Sequence, residues 1–299
     1  PMYLAVSYKP IDDLAVGLSV TTPFGSSVTW PEDWQNKANI TNIELKAFNI
    51  QPTVAYRFNE WFSIGLGFIY THGSATLEKV QTVAGNDINL KLKDKDAHGL
   101  GFNIGAMFKP TDKLGVGIAY RSNVDASANK GDVTWSNVPE GIKHNVPFNT
   151  DKWKTVLPLP SEFTFGLSYK VLPQLEVFGD LVWQNWTRYN SLDITLYNDA
   201  SNTFYTSSSE KNWKDNTLIR FGAEYTFNDL IVGRVGYYHD QSPVPGAYWS
   251  SETPSSNLNS FSAGVGFRLQ SGFNVDLFGS YVQGEERTVN NIEQNFQGD

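Results

Sequence analysis

The residues best suited to acid–base chemistry in this chain of 299 residues are an adjacent histidine and aspartate, His239 and Asp240. An imidazole beside a carboxylate can polarise a water molecule for general base catalysis. The other histidines, His72, His98 and His144, have no acidic residue directly beside them, and no serine-centred motif accompanies the pair. Because consecutive residues of a strand point to opposite faces, His239 and Asp240 are poorly placed to act on one water. The sequence therefore predicts a protein that is not an enzyme.

The composition excludes several other kinds of site. The chain contains no cysteine, so disulfides and thiolate metal sites are impossible. Its formal net charge of −8 argues against a nucleic-acid partner, since binding phosphates needs an excess of lysine and arginine. No apolar run approaches the roughly 20 residues of a membrane helix. We expect neither a metal nor a cofactor.

The elements that must position any site are strands with an alternating pattern. In residues 62–70, large apolar side chains fall on one face, and small residues, joined by the less typical Ile69, fall on the other. The same alternation recurs at 114–121, 163–169, 219–227 and 261–269. A period of two residues is the signature of a β-strand. The sequence therefore predicts an all-β protein.

The connections between these segments differ in length at the two ends of the strands. Tight turns are expected near 9–12, 58–61, 109–112, 171–174, 227–229 and 270–272, and long connections near 23–46, 79–95, 122–154, 187–213, 239–257 and 284–299. A barrel that crosses a membrane has two unlike ends, because they face different compartments. A soluble sandwich has no reason to place every long loop at one end, although a water-soluble all-β protein such as a propeller remains the alternative.

The two strand faces favour the membrane barrel. Glycines and isolated charges on the face with small side chains suit the inside of a barrel, which must leave space or hold a plug. Aromatic rings recur at strand ends, where they suit the membrane interface: Tyr8, Phe58, Trp61, Tyr70, Phe108, Tyr120, Tyr169, Tyr225 and Phe227.

The pattern gives twelve strands, near 2–8, 13–22, 47–58, 61–78, 93–108, 113–130, 156–169, 174–187, 214–227, 230–239, 257–269 and 272–283. Barrels of one bacterial chain usually have even strand counts. The chain begins inside a strand pattern and ends in polar residues, so we expect a first and a last strand outside it. The predicted fold is a transmembrane antiparallel up-and-down β-barrel of 14 strands, about 12 of them in this chain, which forms one domain over 1–299.

Residues 234–245 read RVGYYHDQSPVP, and 257–264 read NLNSFSAG. This sequence, above all its DxSPVP element, resembles the FadL/TodX (OmpP1) family of outer-membrane long-chain fatty-acid and hydrocarbon transporters. Supporting segments are AYRFNEWFSIGLGF at 55–68, AYRS at 119–122, LPLP at 157–160 and WKD at 213–215. The resemblance implies a barrel plugged by an N-terminal hatch, and we expect the hatch, the first strand and the last strand to lie outside this sequence.

The resemblance also implies a binding site for a fatty-acid carboxylate. The basic positions of the family match Lys79 and Lys214. A buried cation pairs well with a carboxylate, because water no longer screens the pair. The alternative is that both are solvated lysines at the bases of loops. Arg220 and Glu224 are expected to form an internal ion pair that anchors the plug.

Release in the family is sideways, through a gap where a strand kinks inward. The matching residues are Pro23, Phe24 and Gly25. Proline lacks a ladder N–H and glycine permits unusual dihedrals, so both disrupt a strand. The alternative is that these residues simply end the strand. Continuous pairing through Phe24 on both sides would contradict a lateral opening.

Capture in the family takes place in extracellular loops. Apolar side chains in 122–154 and 187–213 either form such a groove or pack the loops together: Trp135, Val138, Phe148, Trp153, Tyr189, Tyr197 and Phe204. The loop at 79–92 is shorter than in relatives with a helical excursion there. Packing is the interpretation we favour for most of these rings.

The resemblance implies an outer-membrane protein of a Gram-negative bacterium that takes up long-chain fatty acids or similar hydrophobic molecules. Its expected partners are that ligand and membrane lipids, and we expect a monomer. The alternative is a FadL-like barrel that serves as a partner subunit of an outer-membrane secretion or assembly complex.

Overall fold

The computed structural model describes residues 2–31, 33–269, 272–290 and 295–298, and the turn expected at 270–272 includes Gln270 and Ser271, which lie outside these ranges. The described residues form eighteen strands: β1 (Tyr3–Ile11), β2 (Leu14–Thr29), β3 (Asn42–Asn59), β4 (Phe62–Val83), β5 (Asn86–Phe108), β6 (Leu114–Arg121), β7 (Val124–Ser136), β8 (Lys152–Leu159), β9 (Glu162–Leu172), β10 (Leu175–Gln184), β11 (Ser191–Asn198), β12 (Thr203–Glu210), β13 (Asn216–Thr226), β14 (Ile231–Asp240), β15 (Leu258–Arg268), β16 (Asn274–Gly284), β17 (Arg287–Asn290) and β18 (Asn295–Gly298). Short 3-10 helices span Glu140–Ile142, Trp186–Arg188 and Gly246–Tyr248. Within the described residues, no helix is long and apolar enough to cross a lipid bilayer.

Twelve of these strands form one wall in the order β1-β2-β3-β4-β5-β6-β9-β10-β13-β14-β15-β16. Every neighbouring pair is antiparallel. They correspond one to one with the twelve strands expected from the sequence. Among the described pairs, β1 and β16 do not bond to each other, so the wall is open between them.

The wall turns its apolar face outward. On β4, Leu66 and Phe68 are 58 % and 50 % exposed, whereas the alternate residue Ile69 is completely buried inside. The outer faces of β9 and β13 carry exposed Phe163, Leu167 and Phe221 in the same way. A soluble sheet would do the opposite, and an outward apolar band is the arrangement that a lipid bilayer requires.

The end of the wall with the tight turns carries the belt of aromatic side chains that is expected at a membrane interface. Phe62 stacks against Phe58 and Phe108, with ring centroids 5.4 Å and 4.9 Å away. Trp61, at the turn itself, is half exposed. Amphipathic rings in this position suit the headgroup level of a membrane.

At the opposite end, which we call the loop end, β4 and β5 are longer than a membrane requires. Nine to eleven tilted residues cross a bilayer, whereas β4 has 22 residues and β5 has 23. The long connection expected at 79–95 is therefore wrong. Only Ala84 and Gly85 separate the two strands, and both have positive φ angles of 50° and 79°, as a tight hairpin demands.

The loops expected at 122–154 and 187–213 are also wrong as loops, because both contain paired strands. β7 pairs with β5, and β7, β8, β11 and β12 pair in this order as an antiparallel sheet, which we call the side sheet.

Two of the strands expected from the sequence are interrupted. The strand expected at 113–130 breaks at 122–123, where the Ser122 hydroxyl accepts a hydrogen bond of 2.9 Å from the Phe102 N–H. The strand expected at 156–169 breaks at Pro160 and Ser161. Proline has no N–H for the ladder.

The side sheet packs into the barrel through small residues of β5. A Cβ atom on Gly99 or Gly101 would lie 2.5 Å or 2.8 Å from the Val124 methyl groups. Because glycine has no Cβ atom, Val124 fits against β5 and packs with Ile69 and Leu159 in a buried apolar cluster. The glycines thus let β7 lie across the interior.

Candidate functional site

An apolar cavity of about 320 Å³ lies inside the wall, and we call it the inner cavity. Three aromatic side chains form one side, since the Trp213 ring lies 4.8 Å from Trp186 and 4.9 Å from Tyr189. Aliphatic and small residues of β2–β4, β7 and β8 form much of the rest, among them Ile43, Leu45, Thr71, Gly73, Ala126, Leu157 and Leu159. Such a lining suits an apolar molecule and offers little to a polar one.

A second cavity, of about 540 Å³, adjoins the first toward the loop end, and we call it the outer cavity. Leu77, Leu192, Ile194 and Glu252 line both cavities. Along β4, Thr71 faces the inner cavity, Leu77 faces both, and later residues face only the outer one. The two cavities therefore follow each other along the strand direction.

Two lysines and two carboxylates line the outer cavity, and one of the carboxylates, Glu210, is exposed. Lys211 is 2 % exposed, and its Nζ lies 2.6 Å from Glu252 Oε2. Lys79, which is half-buried, has no hydrogen bond or ion pair from its Nζ to any residue that the structure describes. Burial lowers the pKa of Lys79, and the nearby charge of Glu252 raises it by a smaller amount. This ammonium is therefore poorly solvated and lacks a close anion.

The structure does not bring Lys214 to either cavity. Its side chain is exposed, and its backbone N–H donates to the Pro243 carbonyl at 2.9 Å. Its predicted ligand contact stays a prediction. Lys211, three residues earlier, lies in the cavity instead, because it follows β12 directly into the interior. Only the β11–β12 hairpin, which the sequence pattern did not reveal, could have indicated it.

The residues predicted to form a kink lie in a β-bulge. Thr21 faces Asn49 on β3 and Phe24 faces Ala47, so two residues of β2 oppose one residue of β3. Pro23 is one of these two residues, which face Phe48. Bulges bend a strand and leave a residue unpaired, so the pairing through Phe24 is not continuous on this side.

The bulge opens toward the inner cavity. Phe24 and Gly25 line that cavity, and the Phe24 ring packs edge-on against Trp186 at 6.1 Å. The alternative that Pro23 ends the strand is wrong, because β2 continues to Thr29 with Ser26 opposite Leu45.

The half of the barrel interior near the tight turns is ionic. Arg220 Nε donates to Asp180 at 2.6 Å, and Glu224 accepts from Arg234 at 2.7 Å and Arg268 at 3.2 Å. The expected Arg220–Glu224 pair is therefore wrong. The two residues are four positions apart on one strand, about 13 Å at the usual rise, whereas Asp180 and Arg234 lie directly opposite them on neighbouring strands.

The His239–Asp240 pair forms no catalytic arrangement. His239 Nδ1 lies 3.0 Å from Asn259 Oδ1, and Asp240 accepts a hydrogen bond of 3.3 Å from Asn216. The two side chains point to different neighbours, as adjacent strand residues should.

Most of the aromatic side chains of the two connections pack the side sheet. Trp153, Tyr189 and Tyr197 are buried. Phe148 packs against Trp135 at 5.1 Å, but Trp135 also lines the outer cavity, and Trp153 and Tyr189 line the inner cavity. The packing role therefore stays a prediction for the rings that also line a cavity.

An antiparallel wall with an apolar outer face, ion pairs on its inner face and unlike ends is the architecture of an outer-membrane β-barrel. The family model described as "Outer membrane protein transport protein (OMPP1/FadL/TodX)" matches residues 2–299. The chain belongs to this family. It is therefore an outer-membrane protein with a FadL-type β-barrel fold, and the family is one of transport proteins rather than enzymes.

Curated relatives include the "Long-chain fatty acid transport protein" of Salmonella typhi, 26% identical, with 97% of this chain and 71% of the relative covered. The "Putative outer membrane protein NMB0088" of Neisseria meningitidis serogroup B is 26% identical, with 92% and 66% covered. The chain thus spans about two thirds of the length of these relatives.

Solved structures share the fold. A Pseudomonas aeruginosa FadL homologue superposes with a TM-score of 0.82 at 20% identity, covering 96% of this chain and 70% of its own. The Pseudomonas putida toluene transporter TodX superposes with a TM-score of 0.70 at 17% identity, covering 96% and 77%. At these identities the likeness concerns the fold alone.

Proposed function

We propose that this protein takes up long-chain fatty acids, or similar apolar molecules with a carboxylate, across the outer membrane. The loop end captures the ligand, the two cavities bind it, and it leaves sideways into the membrane at the bulge of β2. The fatty-acid transport proteins among the relatives support this substrate class.

The observation that carries the proposal is that Lys79 lines the outer cavity, which adjoins the apolar inner cavity. Lys79 and Lys211 contribute two positive charges to the lining of the outer cavity, and Glu210 and Glu252 two negative charges, but Glu252 pairs with Lys211, so Lys79 keeps a positive charge without an ion pair among the described residues. One carboxylate would neutralise that charge, and its hydrocarbon tail would fill the inner cavity. Charge-assisted hydrogen bonds of this kind are stronger than neutral ones, and low polarity strengthens them further.

Binding by the full-length protein in detergent tests the proposal. The two ligands are a long-chain fatty acid and the alcohol of the same chain length, which has the same tail without the charge. We expect the acid to bind about tenfold or more tightly, because only the carboxylate gains an ion pair. Equal binding of acid and alcohol would contradict a carboxylate site.

The lateral exit rests on the bulge beside the inner cavity. Deletion of Pro23 would leave one residue of β2 opposite Phe48, so the strands could pair continuously from Thr21 to Phe24. We expect the deletion to reduce fatty-acid uptake by cells strongly and to leave ligand binding in detergent unchanged. Deletion of Gly85 in the distant hairpin turn is the control for a general loss of folding. Uptake at the wild-type rate after the Pro23 deletion would contradict an exit at this place.

A further inference from the structure

The connection between β14 and β15 lies along the boundary between the inner and the outer cavity. Tyr248 and Ser250 line the outer cavity, Thr253 and Pro254 line the inner one, and Glu252 lines both. We call residues 247–255 the gate segment. The gate segment therefore borders the passage between the cavities on one side, and Leu77, Leu192 and Ile194 border it elsewhere.

Two interactions hold the middle of the gate segment in place. Lys211 Nζ donates to Glu252 Oε2 at 2.6 Å, and Trp30 Nε1 donates to the Ser251 carbonyl at 3.1 Å. The ion pair is the stronger of the two, because both groups are charged and Lys211 is shielded from water. Glu252 is thus the charged attachment in the middle of the segment, whereas its end is held at Ser255, whose carbonyl accepts a hydrogen bond of 3.0 Å from Arg287 and whose hydroxyl lies 2.8 Å from that of Ser242.

The middle of the gate segment buries two hydroxyl groups without hydrogen bonds to any described residue. The hydroxyl groups of Ser250 and Ser251 are buried and have no hydrogen-bond partner among the residues that the structure describes. Unsatisfied buried hydroxyls disfavour the position that contains them. The closed position therefore depends on the Glu252 ion pair more than on the fit of the segment itself.

We propose that Glu252 is a specificity-determining residue, which keeps the gate segment closed until a ligand carboxylate replaces it on Lys211 and Lys79. This inference rests on the proposed function, since it assigns a role to the same two lysines. A fatty acid carries the group that makes the exchange: its carboxylate binds the two ammonium groups, and Glu252 moves away with the segment. A neutral hydrocarbon such as toluene has no anion to offer, so the segment stays closed to it. Lys79 provides the first contact, because it has no ion pair to break.

The test compares Glu252→Gln with wild type in the full-length protein. The amide keeps the size of the side chain and removes its charge. Cells that express each variant are given labelled long-chain fatty acid, labelled toluene and a labelled neutral sugar. We expect toluene uptake to rise about tenfold in the variant, since roughly one charged interaction no longer holds the segment. We expect the purified variant to bind the fatty acid about tenfold more tightly, because no internal carboxylate competes.

Glu286→Gln is the matched control. Glu286 follows β16, is exposed at the loop end and lines neither cavity, and it has no ion pair within the described part of the chain. We expect this variant to behave like wild type. Unchanged toluene uptake and unchanged fatty-acid affinity in Glu252→Gln would overturn the inference, and so would an equal rise for the sugar, which would indicate a general leak.

Two further comparisons distinguish a refuted role of Glu252 from a misfolded variant and from a failure of the proposed function. Glu252→Asp retains the charge on a shorter side chain and should give an intermediate rise in toluene uptake, so a variant that fails to fold does not end the test. If wild type binds acid and alcohol equally, the proposed function itself has failed. If wild type prefers the acid but Glu252→Gln changes neither the affinity for the fatty acid nor the uptake of toluene, only the role of Glu252 is refuted.

Discussion

Replacing Lys79 by glutamine should weaken the binding of a long-chain fatty acid and leave the binding of the matching alcohol unchanged. The side chain keeps much of its length and polarity but loses the charge. Because Lys79 has no ion pair of its own among the described residues, its removal breaks no internal contact of that kind. The loss therefore reports the interaction with the ligand.

The expected size follows from the surroundings of Lys79. A hydrogen bond to a charged group contributes about 1.5–3 kcal/mol, which corresponds to roughly ten- to a hundredfold in affinity. Lys79 is only half-buried, and the negative charge of Glu252 already offsets part of its field. Both effects reduce the gain, so we expect a loss of about tenfold, at the lower end of that range.

Titration of the full-length protein in detergent with the acid and with the alcohol measures the loss of affinity in Lys79→Gln. The variant Lys214→Gln tests whether Lys214 also contacts the ligand. The resemblance to the family predicts a contact from Lys214, whereas its exposed position outside both cavities predicts none. We expect wild-type affinity in Lys214→Gln. The reasoning is refuted if Lys214→Gln loses as much affinity as Lys79→Gln, or if Lys79→Gln weakens the alcohol and the acid equally.

Two further predictions concern pH and packing. Burial lowers the pKa of Lys79, so its charged form is present below that pKa and is lost as the pH rises through it; fatty-acid affinity should fall at a pH below the usual lysine value of about 10.4, and titrations of Lys79→Gln over the same range should lack this fall. Gly131→Val should destabilise the side sheet by about 1–3 kcal/mol, because a Cβ atom there would lie 2.1 Å from the Trp153 indole nitrogen. Gly117→Val is its control, since nothing lies within 4 Å of that position, and equal melting temperatures of the two variants would contradict the packing argument.

The wall of the barrel could be predicted from the sequence because lipid imposes a period of two residues. Leu66 and Phe68 face outward while Gly67 faces inward, so the pattern is visible in the residues themselves. The side sheet could not be predicted in this way. β12 reads TFYTSSSE, and it is a strand because it pairs with β11, five to nineteen residues earlier in the chain, rather than because of an alternating pattern of its own.

In the candidate site, too, one feature could be predicted from the sequence and another could not. The bulge at Pro23 follows from a residue that cannot donate to the ladder, so the sequence alone marks it. The position of Lys211 follows from the β11–β12 hairpin, which directs the chain after Glu210 into the interior. No property of Lys211 itself distinguishes it from Lys214 in the sequence. A resemblance can therefore indicate that a lysine of this connection binds the ligand, but the choice of lysine depends on the pairing of the preceding strands.

The charges inside the barrel differ in what they can bind. In the half near the tight turns, Arg220, Arg234 and Arg268 each have a carboxylate within 3.2 Å, so a ligand anion would have to displace an existing partner there. In the outer cavity, Glu252 pairs with Lys211, and the charge of Lys79 is left unbalanced by any close carboxylate among the described residues. A ligand carboxylate therefore gains most at Lys79, although arginines are more numerous in the rest of the interior. The position of the unbalanced charge, at the boundary with an apolar cavity, is what makes an amphipathic acid the best-matched ligand.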